Sequence, residues 1–392
     1  MAPDVVEEDE SAAAFRAELV SWLEGNLDEE VVRAGKGPAD EDADLEILRA
    51  WNARLYDAGW AAVAWPADYG GRDATLAQQL AYQEEMWRHR APGPVNVIGV
   101  SNIAPAIMAV GTEAQKAAFL RPMLRGDVIW SQGMSEPDAG SDLASLRTAA
   151  VQDGDRFVIN GQKTWNSLGR HADLCQLYVR TDPSAPKHKG ISCLLVDLSL
   201  PGVEVRPLRT MAGDLTFAEL FFSDVVVPAD ALLGPLHGGW GVAMTTLSFE
   251  RAGVARLHMG LSGKLDRLVA QARADRGRDP LADPVLRDRL ASVYAQIACM
   301  RWLTGRELGT MARGGTPSAT FGSTTKLLWG RIEQELASLA LDVLGPAALA
   351  GEWAWNLASS RQASIAGGTT EINRNIVAEH GLGLPREPKV AR

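Results

Sequence analysis

Ala149-Ala150-Val151-Gln152-Asp153-Gly154-Asp155-Arg156-Phe157-Val158-Ile159-Asn160-Gly161 is the stretch on which the fold turns. Short runs of β-forming residues at 149–151 and 156–159 are set off by Asp153-Gly154 and Asn160-Gly161, dipeptides that punctuate strands. The same texture extends outward. It begins at Val128-Ile129-Trp130 and continues through Leu177-Tyr178-Val179, Ile191 to Val196, and Val203 to Val205, ending at Leu220-Phe221-Phe222. Pro183-Ser184-Ala185-Pro186 and Pro201-Gly202 supply further breaks. On both flanks the period is helical instead. Upstream, Phe15-Leu19-Trp22-Leu23 and Leu48-Trp51-Leu55-Tyr56 keep helical spacing, a loop interrupts at 61–71, and helices resume at Leu76–Trp87 and Ser101–Val110. Downstream of Gly241 the helical period runs to the end, punctuated by Pro280, Asp283-Pro284, Gly314-Gly315 and Gly345-Pro346, as in an antiparallel bundle. The expectation is an α+β chain with an N-terminal helical domain (1–127), a middle β-barrel or sandwich domain (128–236) and a C-terminal four-helix bundle (237–392).

Composition excludes several functions. With 392 residues, 46% apolar and 22% charged, the chain buries a sizeable core. A net charge of -10, without a basic cluster able to neutralise a run of phosphates, argues against nucleic acid or an anionic membrane as partner. The acidic start and the lack of a long apolar run predict neither a secretory signal nor a membrane span, so a cytoplasmic location is expected. Cys175, Cys193 and Cys299 form no close pair and read as buried, inert thiols. His89, His171, His237, His258 and His380 lack ligand spacing, so no metal is expected. A P-loop is absent, because Gly263-Lys264 is followed by Leu265, and no strand runs into Gly-x-Gly-x-x-Gly.

Four stretches carry a resemblance. Ser131-Gln132-Gly133-Met134-Ser135-Glu136-Pro137-Asp138-Ala139-Gly140-Ser141-Asp142 resembles the signature that opens the middle domain of acyl-CoA dehydrogenases, and Asn160-Gly161-Gln162-Lys163-Thr164-Trp165 resembles its second motif. Val225-Val226-Val227-Pro228-Ala229, Leu233-Gly234 and Gly239-Trp240-Gly241 through Leu247-Ser248-Phe249-Glu250-Arg251 resemble the domain junction and first bundle helix. Gly367-Gly368-Thr369-Thr370-Glu371-Ile372-Asn373-Arg374 through Leu382-Gly383-Leu384-Pro385-Arg386 resembles the C-terminal signature. The motifs come in family order over nearly the whole chain, and they imply that family's three-part fold.

The chemistry implied is removal of a proton from Cα of an acyl thioester while a hydride leaves Cβ for FAD. It needs a carboxylate base, donors for the enolate oxygen and a dry flavin slot. By resemblance, Ser135, Ser141, Trp165 and Ser167 line the flavin, Gly140 admits the ligand close to the backbone, and Thr369 and Glu371 belong to the cofactor site. Taken alone, Trp165 also reads as core filler, Ser135-Glu136-Pro137 as a turn, and Thr369 or Thr370 as a helix N-cap.

Many family members carry the base just before the Gly-Thr of the last signature. Here that position is Gly367, and the resemblance moves the base to Glu250 in Leu-x-x-Glu-Arg, as in the long-chain and isovaleryl branches. Gly367 then supplies a backbone N–H to the thioester carbonyl. On the adenine side Arg273 matches a family arginine, but Arg276 stands where an aromatic is usual, and Asp342 or a neighbour takes the place of the usual glutamine before Gly345. Arg273 and Gly345 are therefore cofactor candidates that read equally as an exposed helix arginine and a helix C-cap. Lys187-His188-Lys189 is a candidate for CoA phosphates or a plain solvated loop.

The expected partners are an acyl-CoA, of a bulky, branched or steroid-side-chain type, and an electron-transfer flavoprotein. The cross-subunit cofactor site of the family implies a homo-oligomer, dimer or tetramer. A partner subunit of a heteromeric dehydrogenase and an acyl-CoA oxidase are the alternatives.

Overall fold

The computed structural model of the chain describes residues 9–35, 42–252, 257–274 and 280–386, the side chains at 42 and 248–252 excepted. Its helices begin with α1 (Glu10–Asn26), α2 (Glu29–Ala34), α3 (Asp42–Asp57), α4 (Leu76–Arg88), α5 (Ala104–Val110) and α6 (Glu113–Arg125). Their starts are capped by side chains. Asp9 and Asp28 accept from backbone N–H groups of α1 and α2, and Thr75/Gln78 and Thr112/Gln115 form reciprocal capping boxes on α4 and α6. Phe15, Leu19 and Leu23 of α1 and Leu48, Trp51 and Leu55 of α3 are buried, so the helical spacing read in the sequence is the core face.

Seven strands follow: β1 (Trp130–Gly133), β2 (Ala149–Asp153), β3 (Arg156–Ser167), β4 (Leu174–Arg180), β5 (Ile191–Asp197), β6 (Val203–Leu208) and β7 (Phe217–Pro228). They form one curled sheet in the order β1-β4-β2-β3-β7-β6, with β5 also on β4. Alternation along each strand divides two cores. Cys175, Leu177 and Val179 of β4 join Leu194 and Val196 of β5 and Phe157, Ile159, Leu220 and Phe222 in the sheet's own interior. Tyr178, Cys193 and Leu195, on the other face, share a core with the N-terminal helices. Both faces of β4 and β5 are thus dry, and their runs read as continuously apolar.

The turn expected at Asn160-Gly161 is not one, because β3 runs straight through it. The partner strand bulges instead: Ile159 pairs with Val225 and Gly161 with Phe222, so Ser223 and Asp224 stand opposite Asn160 alone, one residue in excess. Asp224 takes φ 49°, and the Asn160 side chain exchanges two 2.9 Å hydrogen bonds with it. Gly161, at φ 151°, lies where a Cβ would come within 2.7 Å of Thr148 Cα.

The chain then enters α7 (Gly239–Ala252), α8 (Leu257–Ala274), α9 (Pro284–Ala312), α10 (Phe321–Leu344), α11 (Gly351–Ser359) and α12 (Thr370–Ile376). Leu261, Leu265 and Leu268 of α8, Leu290, Val293 and Ile297 of α9, and Ile332, Leu336 and Leu339 of α10 make a single bundle core. Two compact units result: Glu8–Thr210 with Asp214–Glu250, and Met211–Gly213 with Arg251–Arg392. The N-terminal helices and the sheet lie together in the first. No helix among the described residues is long and apolar enough to cross a membrane, and none of their His, Cys, Asp and Glu groups could hold a metal ion.

The cysteines depart from expectation at one position. Cys175 and Cys193 are buried, and burial pushes the Cys175 thiol up to about 12 and that of Cys193 well above its ordinary value. Cys299, in α9, is exposed rather than buried, since it falls on the side of the helix away from Val293, Ile297 and Met300. Thiol labelling of the native chain is expected to reach Cys299 and stop, with Cys175 and Cys193 reacting only after denaturant is added; rapid native labelling of either would contradict this packing.

Candidate functional site

The sheet presents one concentrated arrangement of polar groups, where β1 and its following loop meet the second half of β3. Between Lys163↔Leu220 and Asn166↔Ala218, β3 carries an extra residue, so Thr164 and Trp165 leave the ladder with β7. Trp165 takes φ 61°, a left-handed conformation that is rare for a bulky side chain. Its indole is 60% exposed and stands edge-on to Phe217 at 5.8 Å. The bulge frees the Thr164 N–H, which donates to Ser135 O at 2.9 Å.

Side chains fasten the rest of the seam. Ser131 Oγ donates to Ser167 O at 2.8 Å and Asn166 Nδ2 to Gln132 O at 2.7 Å. Lys163, fully buried, donates to Met134 O at 3.0 Å and to Glu136 Oε1 at 2.8 Å. The Glu136 carboxylate also accepts from the backbone N–H groups of Arg147 and Thr148, at 2.6 and 2.8 Å. Burial works to raise the Glu136 pKa, but the Lys163 ammonium and these donors outweigh it and hold the carboxyl below its ordinary value. Burial lowers Lys163 despite its carboxylate partner.

Ser135, Trp165 and Ser167 are therefore brought together on this seam. Ser135 and Ser167 are half-buried, and neither hydroxyl bonds to another described residue. Gly140 and Ser141 lie exposed in the loop after β1, and a Cβ on Gly140 would meet no atom within 4 Å. Core filling is thus not the role of Trp165. A planar aromatic ligand with hydrogen-bonding edges fits this seam: an indole wall, two uncommitted hydroxyls and backbone held in place behind them.

A second polar chain was not anticipated. Gln132 Nε2 donates to Gln176 Oε1 at 3.1 Å, and Gln176 and Tyr178 both reach Thr246 Oγ1, at 3.4 and 3.2 Å. It ties α7 to the sheet one helical turn before Glu250. The side chains of Glu250 and Arg251 lie outside the described residues. Lys163 was legible as an anomaly, a charge at the alternate position continuing Phe157 and Ile159 inward. Gln176 and Thr246 carried no comparable signal.

In the second unit Thr369 caps α12 by accepting from Ile372 N–H, after Gly367 at φ 67° and Gly368 at φ 90°. The Asn373 side chain donates to Gly368 O and Thr369 O, and Glu371 stands exposed in the first turn. Lys326 of α10 bonds Ala363 O just upstream, so this corner sits by the first half of α10. Arg273 is exposed in the last turn of α8, and Arg276 lies outside the described residues. Gly345, at φ 61°, caps the far end of α10, near the Arg289–Asp342 ion pair of 2.7 Å. The two groups of candidates stand toward opposite ends of a helix about 36 Å long.

Lys187 is engaged by Asp142 Oδ2 at 2.7 Å and Ser145 Oγ, and His188 lies edge-on to Trp240 at 4.6 Å. The Lys189 side chain is exposed.

Residues 10–127, 131–225 and 237–382 match, respectively, the N-terminal, middle and C-terminal domain models of acyl-CoA dehydrogenase. Acyl-CoA dehydrogenase IpdE1 of Mycobacterium tuberculosis is 40% identical over 385 residues, covering 96% of this chain and 98% of that protein. Its namesake in Mycolicibacterium smegmatis is 39% identical, with 96% and 98% covered. Among solved structures, the Tcur3481-Tcur3483 steroid ACAD superposes with a TM-score of 0.84 at 33% identity, covering 97% of this chain and 99% of that one. The ChsE4-ChsE5 complex from Mycobacterium tuberculosis gives 0.83 at 32%, covering 97% and 100%.

Proposed function

The chain belongs to the acyl-CoA dehydrogenase family, an FAD-dependent group of enzymes, and from that premise we propose that it desaturates a bulky acyl-CoA, with a steroid side chain as the acyl group, to the trans-2-enoyl thioester. The observation that carries the assignment of the flavin seam is Trp165, held exposed on a left-handed bulge beside the hydroxyls of Ser135 and Ser167, which bond to no other described residue. FAD, when bound, supplies the acceptor for the hydride leaving Cβ. The chain's residues do the rest. Trp165 walls the ring, and Ser135 and Ser167 hydrogen-bond its polar edge. Ser141 and Gly140 border the cofactor, and Thr369 and Glu371 are cofactor-site candidates by the same resemblance. Glu250 takes the Cα proton, and the Gly367 N–H steadies the enolate oxygen.

The steroid reading is supported by one structural neighbour, the Tcur3481-Tcur3483 steroid ACAD. An electron-transfer flavoprotein is the proposed electron acceptor, and the cytoplasm the proposed location. Gly345 stands at the end of α10 away from the 367–371 corner, which supports an oligomer in which copies, or a related second subunit as in the two neighbouring complexes, share the site. The division at 127/128 and 236/237 remains the proposed domain scheme.

Anaerobic addition of straight-chain, branched and steroid side-chain CoA thioesters to the FAD-loaded protein tests the proposal. Steroid side-chain thioesters are expected to bleach the flavin band within seconds, leaving straight-chain ones slow. Bleaching by short straight chains alone would refute the substrate class. Loss of colour from the isolated chain, restored with activity by a second subunit, would favour the partner-subunit reading, and stoichiometric hydrogen peroxide in air an oxidase.

A further inference from the structure

We propose that the buried Lys163–Glu136 pair is a positioning device for the flavin seam, fixing Ser135 and Trp165 as one rigid unit; the proposal rests on the reading that FAD lies against these residues. The pair does more than neutralise itself. Lys163 spends a second donor on Met134 O, the carbonyl immediately before Ser135, and Glu136, immediately after it, is held by Lys163 and by two backbone donors at Arg147 and Thr148. Ser135 is thereby clamped on both sides. Its own carbonyl accepts from Thr164, the residue between Lys163 and Trp165. Glu136 and Ala139 exchange backbone hydrogen bonds of 3.0 Å, closing the turn that leads to Gly140 and Ser141.

A charge pair wanted only for stability is commonly replaced by apolar residues at no loss. Here such a replacement would release Met134 O and the turn, and with them the relation of the Ser135 hydroxyl to the indole. Lys163 and Glu136 touch no ligand in this scheme and act through the residues they hold.

The test separates position from folding. Lys163→Met/Glu136→Gln removes both charges yet keeps an acceptor for the Arg147 and Thr148 N–H groups, so the urea midpoint should stay close to that of the wild type. Its FAD dissociation constant should nevertheless rise at least about tenfold, the loss of one well-placed hydrogen bond, and the bound-flavin absorption bands should shift. Glu136→Asp, which keeps the ion pair but shortens its reach, serves as the second variant should the first fail to fold, and should weaken FAD binding several-fold with a wild-type midpoint. Wild-type FAD affinity and spectrum in a folded variant of either kind would overturn the positioning role. A wild-type chain that takes up no FAD would overturn the cofactor reading itself, a different result.

Discussion

Glu250→Gln is expected to slow flavin reduction by an acyl-CoA by about 10²–10⁴-fold, the usual contribution of a positioned base, while FAD stays bound. The amide matches the carboxylate in size and leaves α7 intact, but it accepts no proton at neutral pH. Proton removal from Cα then falls to water or to a poorly placed group. The effect should appear in the reduction rate and leave thioester affinity nearly unchanged, because the base acts chiefly in the transition state. Stopped-flow bleaching gives both quantities. Reduction at the wild-type rate would remove Glu250 as the base and direct the search to the Gly367 corner, where Glu371 stands nearest in sequence.

Lys163→Met alone should destabilise the fold by about 3–5 kcal/mol, because it strands a buried carboxylate. At about 2–4 °C per kcal/mol the melting temperature should fall by about 10 °C. The pH dependence gives a second, signed check. In the wild type Glu136 is held below its unfolded pKa of about 4.3, so its stabilisation is full above that value and disappears as pH falls through the lower folded value. Without Lys163, only the Arg147 and Thr148 donors oppose burial, and the folded pKa of Glu136 rises. The penalty is then complete at neutral pH and is relieved as the carboxyl protonates. The gap between variant and wild type should therefore narrow from pH 7 to pH 5. A gap that is constant or widens would mean that the carboxylate is not the stranded group.

The broad order of helices, sheet and helices was legible because the hydrophobic period changes at about 128 and again after Gly239, and periodicity is set by which faces are buried. What misled was chemistry local to a dipeptide. Asn160-Gly161 has the residues of a hairpin turn, yet the long ladder between β3 and β7 outweighs them and Asp224 of the partner strand absorbs the irregularity. Helix α6 went unmarked although Thr112 and Gln115 spell its capping box. The parallel pairing of β1 with β4 left no mark, since parallel partners share no connecting turn.

At the seam between β1 and β3, the quoted motifs contain both Ser135 and Trp165. The conformation that exposes Trp165 was not readable, because φ at a bulky residue is imposed by the ladder on either side rather than by its neighbours in sequence. Trp165 lay between two readings, and its exposure decides against core filling. Lys163 and Glu136 sat inside quoted motifs, but their pairing across 27 residues is a tertiary fact.

The left-handed backbone at Trp165 has a bearing on how this protein can be altered. A residue held in an unfavourable conformation costs of order 1–3 kcal/mol, which the structure around it must offset. Any selection for heat resistance carried out on cofactor-free protein would reward its replacement by glycine or asparagine and erode the seam at its centre. Sequence drift toward robustness and retention of the reaction thus pull this one position in opposite directions.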